Sequence, residues 1–248
     1  MSQFQLLNNL DHHQTKVRHY FSTHYGDNLS SIPVFPTEFL ALQHEYPLVV
    51  RHNADTNSFY AVALLGLAAD ENLYLDSNAP YGWDARTIPA MLAKGPFRIG
   101  FQQHGAHREP VVHIDCQHPK VSIQDGQPLF LAEGGNSPYL LHITALLDRI
   151  QQGLSLAPSL FNTLQQWQLL QPINIDYELH NGEKHRLTGN YSIDADALAA
   201  LSSTALASLH SAGFLQLAFA MLNSMFHISD LIERKNQRLL AANTYHAT

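Results

Sequence analysis

The feature that most restricts the fold of this chain is a change in the spacing of its apolar residues near residue 130. Before that point, short runs rich in β-branched and aromatic residues alternate with turn-forming residues, a pattern typical of strands. The connections at 53–57 and 70–72 are short and polar. Because parallel strands need a long crossover, the runs are predicted to pair antiparallel. The predicted strand runs are LVVRHN, FYAVALLGLA, NLYLD, FRIGFQQ, VVHIDC and KVSIQ.

After residue 130 the apolar spacing becomes that of a helix. In SPYLLHITALLDRIQQG, apolar residues recur at three- and four-residue intervals, and Ser137 stands where an N-cap is expected. A second helix is predicted over APSLFNTLQQWQLL, a hairpin around Asn181-Gly182, and further helices from Ala195 nearly to the end. The chain is therefore predicted to be an α+β protein, with an antiparallel sheet region followed by a helical region carrying one β-hairpin.

The polarity of the chain divides it into two parts. Residues 1–30 are polar and rich in histidine, and their few apolar residues are compatible with a weak amphipathic helix or a loosely attached arm. Residues 31–248 are predicted to form a single α+β domain, rich in sheet to about residue 130 and rich in helix after it.

The charge balance argues against two classes of partner. The chain carries 14 Lys and Arg against 21 Asp and Glu, a formal net charge of −7. Nucleic acids and anionic membranes attract proteins through a positive surface, and no cluster of Lys and Arg is present in the sequence. Neither is therefore an expected partner.

Three further features predict a soluble cytoplasmic protein without a membrane span. A single cysteine excludes an internal disulfide. The first 21 residues, MSQFQLLNNLDHHQTKVRHYF, lack the apolar core of a signal peptide. The most apolar stretch, SAGFLQLAFAMLNSMF, contains Gln216 and Asn223 and is too short to cross a bilayer.

The stretch HIDCQH, residues 113–118, is the densest group of potential metal ligands. Strand alternation places His113 and Asp115 on one face, where they supply two of the three ligands of a two-histidine, one-carboxylate metal site. The third ligand would have to be His104, His107 or His142. The alternative interpretation is an ordinary strand, in which Cys116 is a small buried apolar residue rather than a nucleophile.

Two aromatic or apolar segments are candidates for contact with a partner. Tyr81 and Trp83 lie in a predicted loop, APYGWDARTIP, where they would either anchor a partner or fold back as a lid on the core. The last predicted helix, from Phe214, is apolar around much of its circumference. Such a helix is either central to the fold or forms an interface between copies of the chain.

Several segments resemble the SapC family of bacterial proteins. They are PVFPTEFLALQHEYPLVV, AVALLGLAADENLYLD, GWDARTIPAMLAKGPFRIG, HIDCQHPKVS with GQPLF, SPYLLHITALLDRIQQG and LASLHSAGFLQLAFAMLNSM, in family order from about residue 32 to 232. The resemblance implies a single structural unit that accompanies surface-layer or outer-membrane uptake systems. It implies no catalytic residue and no cofactor. Other SapC-like chains carry an acidic stretch without histidine where this one has Cys116, Gln117 and His118.

The sequence thus predicts a non-catalytic accessory or binding protein of the SapC type, which acts with a protein or peptide partner. Two alternatives are open. One is a metal-dependent oxygenase or hydrolase that uses His113 and Asp115, and the other is a structural surface-layer component.

Overall fold

The computed structural model describes the backbone of residues 3–104 and 107–246. Side chains are described for residues 3–103 and 109–242. The chain divides into two compact units. The first comprises Met1–Asp27, Leu75–Asp84 and Ala90–Gln152, and the second comprises Asn28–Tyr74, Ala85–Pro89 and Gly153–Thr248. The single domain predicted for residues 31–248 stays a prediction.

The described residues form eleven strands and seven α-helices. The strands are β1 (Phe4–Leu6), β2 (Lys16–Val17), β3 (Ser31–Val34), β4 (Leu48–Asn53), β5 (Ser58–Leu64), β6 (Phe97–His104), β7 (His107–Asp115), β8 (Val121–Ser122), β9 (Gln127–Pro128), β10 (Leu170–Glu178) and β11 (Lys184–Ile193). The helices are α1 (Phe39–Leu42), α2 (Ala90–Ala93), α3 (Pro138–Gln166), α4 (Ala195–Ala199), α5 (Ser203–Ser211), α6 (Phe214–Ser224) and α7 (His227–His246). The predicted α+β class is confirmed.

The first unit contains two small antiparallel sheets. One has the strand order β1-β7-β6, and the other has the order β8-β2-β9. In the first sheet Phe97 and Ile114 are cross-strand partners, and both are fully buried. The N-terminal segment supplies β1 and β2, so it takes part in both sheets instead of forming a helix. Strands of two or three residues are too short to produce a periodic pattern in the sequence.

The second unit is built on a five-stranded antiparallel sheet with the order β10-β11-β4-β5-β3. The hairpin predicted around Asn181-Gly182 is present as β10 and β11, and it joins the rest of the sheet where Tyr191 pairs with Val50. Leu48, Val49 and Val50 of β4 are all buried. Three consecutive buried side chains are expected for a central strand, because both of its faces are covered.

The predicted run NLYLD does not form a strand. Within it, Leu75 makes an isolated bridge to Trp83, while Leu73 and Tyr74 are buried in a turn. The apolar side chains of this short run are therefore buried although the run does not form a strand. The sequence pattern alone does not distinguish a buried strand from a buried turn.

The two helices predicted between residues 137 and 170 are one continuous helix of 29 residues, α3. Its N-terminus is capped as predicted, since the backbone N–H of Leu140 donates to the Ser137 hydroxyl oxygen at 3.1 Å. The helix continues through Gly153, where an added Cβ would lie 2.5 Å from the Cβ of Phe35. The close approach of the Phe35 side chain thus explains a glycine at this position of the helix.

The apolar C-terminal segment forms two helices, α6 and α7, interrupted at residues 225–226. Phe214, Leu217 and Met221 of α6 are buried, and the helix packs on α1, α5, β4 and β11 of the same unit. Among the described residues, Phe214–Ala242 is long and apolar enough to cross a membrane by length and composition, with 33% of its most apolar window buried. Core helices of soluble proteins meet the same criteria.

Candidate functional site

The strand that carries HIDCQH places His113 and Asp115 on one face, as alternation predicts. The cross-strand partner of His113 is Arg98, which therefore lies on the same face of the sheet. The carboxylate of Asp115 is buried and accepts backbone N–H groups from Gln3 and Gln117, both at 3.1 Å. Asp115 thus holds two segments against β7, namely the residue that precedes β1 and the turn that follows β7.

The imidazole of His113 lies over Gly100 on the neighbouring strand. A Cβ built on Gly100 would lie 2.2 Å from the Cε1 atom of His113, so the glycine makes room for the ring. The buried Nδ1 atom of His113 has no hydrogen-bond partner among the described residues. The nearby Arg98 guanidinium lies 3.7 Å from the centre of the Phe4 ring, and its positive charge opposes a cation at this position.

The third ligand of the predicted metal site is not brought to His113 and Asp115 by the described side chains. No group of three or more His, Cys, Asp or Glu in that part of the chain is placed to hold a metal ion, and His142 lies on helix α3. The side chains of His104 and His107, the other two candidates, lie outside the described residues.

Cys116 lies just beyond the end of β7 and is half-buried, so it is not the fully buried apolar residue that the strand pattern suggested. Its Sγ atom is 3.7 Å from His12 Nε2 and 3.7 Å from Gln5 Oε1. Burial and the neighbouring Asp115 carboxylate raise the pKa of the Cys116 thiol. The thiol is therefore protonated near neutral pH.

The loop that carries Tyr81 and Trp83 presents its two aromatic residues differently. Trp83 is 2% exposed, and its ring packs edge-to-face on Phe21 with the ring centres 5.6 Å apart. Tyr81 is 58% exposed. Trp83 therefore folds back on the core as a lid, whereas the ring of Tyr81 is exposed to solvent.

The backbone of this loop holds Tyr81 in an unusual conformation. Tyr81 has φ 58°, in the left-handed region that a bulky residue rarely adopts. The backbone N–H of Phe21 donates to the carbonyl of Tyr81 at 2.8 Å. The next residue, Gly82, lies so close that an added Cβ would be 2.2 Å from the carbonyl oxygen of Phe21. The surrounding contacts thus maintain a strained residue, a situation that is common at functional sites.

The exposed Tyr81 ring contacts His19, which links it to further aromatic rings. We call the set Tyr81, His19, Phe21, Trp83 and Tyr139 the aromatic cluster. The His19 ring makes edge-to-face contacts with Tyr81, Phe21 and Tyr139, at centre distances of 4.9, 5.7 and 6.1 Å. Burial, with the charge of Lys120, lowers the pKa of His19, and burial raises the pKa of Tyr139. The sequence pattern contained no signal for His19 or Tyr139.

A buried ion pair lies on the inner side of the aromatic cluster. The Lys120 ammonium is 2.9 Å from the Asp27 carboxylate and 4.1 Å from the centre of the Phe21 ring. Burial lowers the pKa of Lys120, although the carboxylate of Asp27 opposes that shift. The pair anchors the segment around residue 27 to the turn that follows β7, and Phe21 is held between the ion pair and Trp83.

The fold and this surface define an α+β protein of antiparallel sheets and packed helices with an exposed aromatic residue on a rigid loop. A family model described as SapC matches residues 7–231, nearly the whole chain. The chain belongs to the SapC family. Comparison with curated proteins and with solved structures gave no match.

Proposed function

We propose that this protein is a non-catalytic accessory protein of the SapC type, which binds a protein or peptide partner in a surface-layer or outer-membrane uptake context. Membership of the SapC family supports the context. The aromatic cluster supports the binding role. The net charge of −7 supports a partner other than nucleic acid or an anionic membrane, and we place the protein in the cytoplasm.

The observation that carries the proposal is the exposure of the Tyr81 ring at a position whose backbone is fixed by its neighbours. Its neighbours Gly82 and Trp83 are buried, and the carbonyl of Tyr81 is hydrogen-bonded to Phe21. A tyrosine held in this way has lost its backbone freedom before any partner binds. Rigid aromatic anchors give contact area at low entropic cost, and tyrosine is enriched among the residues that dominate binding energy.

A quantitative capture experiment with the full-length protein tests this role. Immobilised wild-type protein is compared with Tyr81→Ala for recovery of each protein from lysate of the native cell, by mass spectrometry with isotope labels. Removing a dominant anchor costs about 2 kcal/mol, so recovery of the specific partner should fall about thirtyfold at limiting concentration.

Tyr60→Ala is the matched control. Tyr60 lies on β5 and is 38% exposed, so its removal deletes an exposed tyrosine ring elsewhere on the chain. The proposal requires a protein that is captured by the wild type and by Tyr60→Ala and lost from Tyr81→Ala. Equal recovery of every captured protein by Tyr81→Ala and the wild type would contradict a role for this surface.

One observation favours the alternative of a metal-dependent enzyme, namely the buried Nδ1 atom of His113 that lacks a partner among the described residues. If the protein is a metal-dependent enzyme, the wild type should retain bound metal after reconstitution with Fe²⁺ or Zn²⁺ and gel filtration. Both His113→Ala and Asp115→Ala should lose that metal. On the accessory role, His113→Ala leaves the bound metal content unchanged. Metal analysis of the three folded proteins separates the two functions.

A further inference from the structure

Helix α6 has a second apolar face besides the one that packs on the rest of its unit. A row of apolar residues at intervals of four, three and four lies along its outer side, and we call it the outer stripe: Leu215, Phe219, Leu222 and Phe226. Phe219 is 45% exposed and Phe226 is 80% exposed, while the two leucines are half-buried. Phe226 continues the row beyond the end of α6, because its backbone N–H donates to the carbonyl of Asn223.

The spacing of the outer stripe is that of a seam between two paired helices. Apolar residues separated alternately by four and three positions form the line of contact when helices pack along their length. With about 200 Å² for a whole phenylalanine, the two exposed rings leave about 250 Å² accessible to solvent. Two such stripes would together bury about 500 Å² of ring surface, which suits the centre of a standard interface of about 1,600 Å².

The charges around the outer stripe favour a second copy of the same chain. The net charge of −7 makes copies of the chain repel one another at long range. Residues 211–226 contain no Asp, Glu, Lys or Arg, so two stripes meet without bringing like charges together. An anionic membrane is a poorer match, because residues 187–233 contain no Lys or Arg that would attract its headgroups.

We propose that the outer stripe is the two-fold interface of a homodimer, in which α6 of one copy packs antiparallel on α6 of the partner subunit. In this arrangement Phe226 of one copy faces Leu215 of the partner subunit, and Phe219 faces Leu222. Each layer combines a large ring with a smaller side chain, so the layers interdigitate. A parallel pair would set ring against ring and leucine against leucine. The interface shares no residue with the aromatic cluster and does not depend on the proposed function.

Sedimentation equilibrium of the full-length protein tests the dimer. The wild type should be dimeric at micromolar concentration. Phe226→Asp puts a carboxylate into the interface of both copies, so the dissociation constant should rise at least about a hundredfold. Leu141→Asp is the matched control, because it makes the same change of charge at a helical residue that is 57% exposed on α3, and it should remain dimeric.

Three results of this experiment would overturn the dimer. They are a monomeric wild type across the micromolar range, equal dimerisation of Phe226→Asp and the wild type, and equal loss of the dimer in Leu141→Asp. Co-sedimentation of a monomeric wild type with vesicles of phosphatidylglycerol would assign the outer stripe to a membrane surface instead.

Disulfide cross-linking tests the direction of the two helices. Gln216 and Asn223 are exposed and follow the same flank of the outer stripe, seven positions apart. In the antiparallel dimer, Gln216 of one copy lies beside Asn223 of the partner subunit. In a Cys116→Ser background, Gln216→Cys combined with Asn223→Cys should therefore form covalent dimers on mild oxidation.

Each single cysteine variant in that background is the control. Its two thiols in the dimer are separated by about 10 Å along the helices, which is too far for a disulfide. Neither single variant should therefore form covalent dimers. Covalent dimers from a single variant, or none from the combined variant, would overturn the antiparallel interface.

Discussion

The ammonium of Lys120 lies 2.9 Å from the Asp27 carboxylate, and the two side chains are only 4% and 8% exposed. A buried charge is costly unless it is paired, so removing one partner costs about 3 kcal/mol or more. We expect Lys120→Met to lower the free energy of unfolding by about that amount, because it leaves Asp27 buried without its cation. Urea denaturation measures the loss.

The double variant Lys120→Met with Asp27→Asn tests the cause. Removing both charges should restore a large part of the stability, giving a coupling energy above about 1 kcal/mol. Additive losses from the two substitutions would mean that the pair is not the origin of the effect.

The two tryptophans should respond differently to truncation. Trp83 is buried against Phe21, and replacing a buried tryptophan by alanine costs about 3 kcal/mol or more. The indole N–H of Trp167 is buried without a hydrogen-bond partner among the described residues, so Trp167→Phe removes an unsatisfied donor. We expect Trp167→Phe to change stability by less than about 1 kcal/mol. Thermal melts of the two variants check this contrast, and a stable Trp83→Ala protein would contradict the lid arrangement.

Gly100 should tolerate a methyl group only when the imidazole of His113 is removed. In the wild type, an added Cβ overlaps the ring, so Gly100→Ala should cost about 2 kcal/mol. In a His113→Ala background the overlap is gone, and an alanine in a strand is favoured over glycine by about 0.5 kcal/mol. The sign of the effect should therefore reverse. Denaturation curves of the four proteins measure it, and a similar cost in both backgrounds would exclude this packing.

The stability of the protein should fall as the pH drops below about 6.5, the ordinary pKa of histidine in an unfolded chain. The pKa of His19 is lowered by burial, with Lys120 and His142 also opposing its protonation, so at mildly acidic pH the unfolded chain binds a proton that the folded protein does not. Stability is therefore complete above about 6.5 and is lost as the pH falls toward the folded value.

His19→Phe tests this dependence because it keeps an aromatic ring against Tyr81, Phe21 and Tyr139 while removing the titratable group. We expect a smaller loss of stability between pH 7 and pH 5 than in the wild type, measured by urea denaturation at each pH. Burial also lowers the pKa of His118, so part of the dependence should persist in His19→Phe. An unchanged slope in this variant would show that His19 does not contribute.

Local patterns were sufficient for the class of fold and for most of its regular elements. The change of period near residue 130 predicted strands followed by helices, and β4, β5, β6, β7 and the β10–β11 hairpin lie where short β-prone runs or a strong turn signal occurred. The Ser137 cap was read from a single residue and its position. These predictions succeeded because side-chain periodicity and capping depend on neighbours within a few residues.

The tertiary structure decided what the sequence pattern left open, because those outcomes depend on residues far apart in the chain. Tyr81 and Trp83 looked equivalent in the sequence, yet contact with Phe21, about sixty residues earlier, buries one and leaves the other exposed. His12 and Cys116 meet because β1 pairs with β7, and no local motif joins them. The sequence by itself determined the α+β class and most of the longer strands and helices, since those patterns are local. Which polar and aromatic side chains come together was determined only by packing.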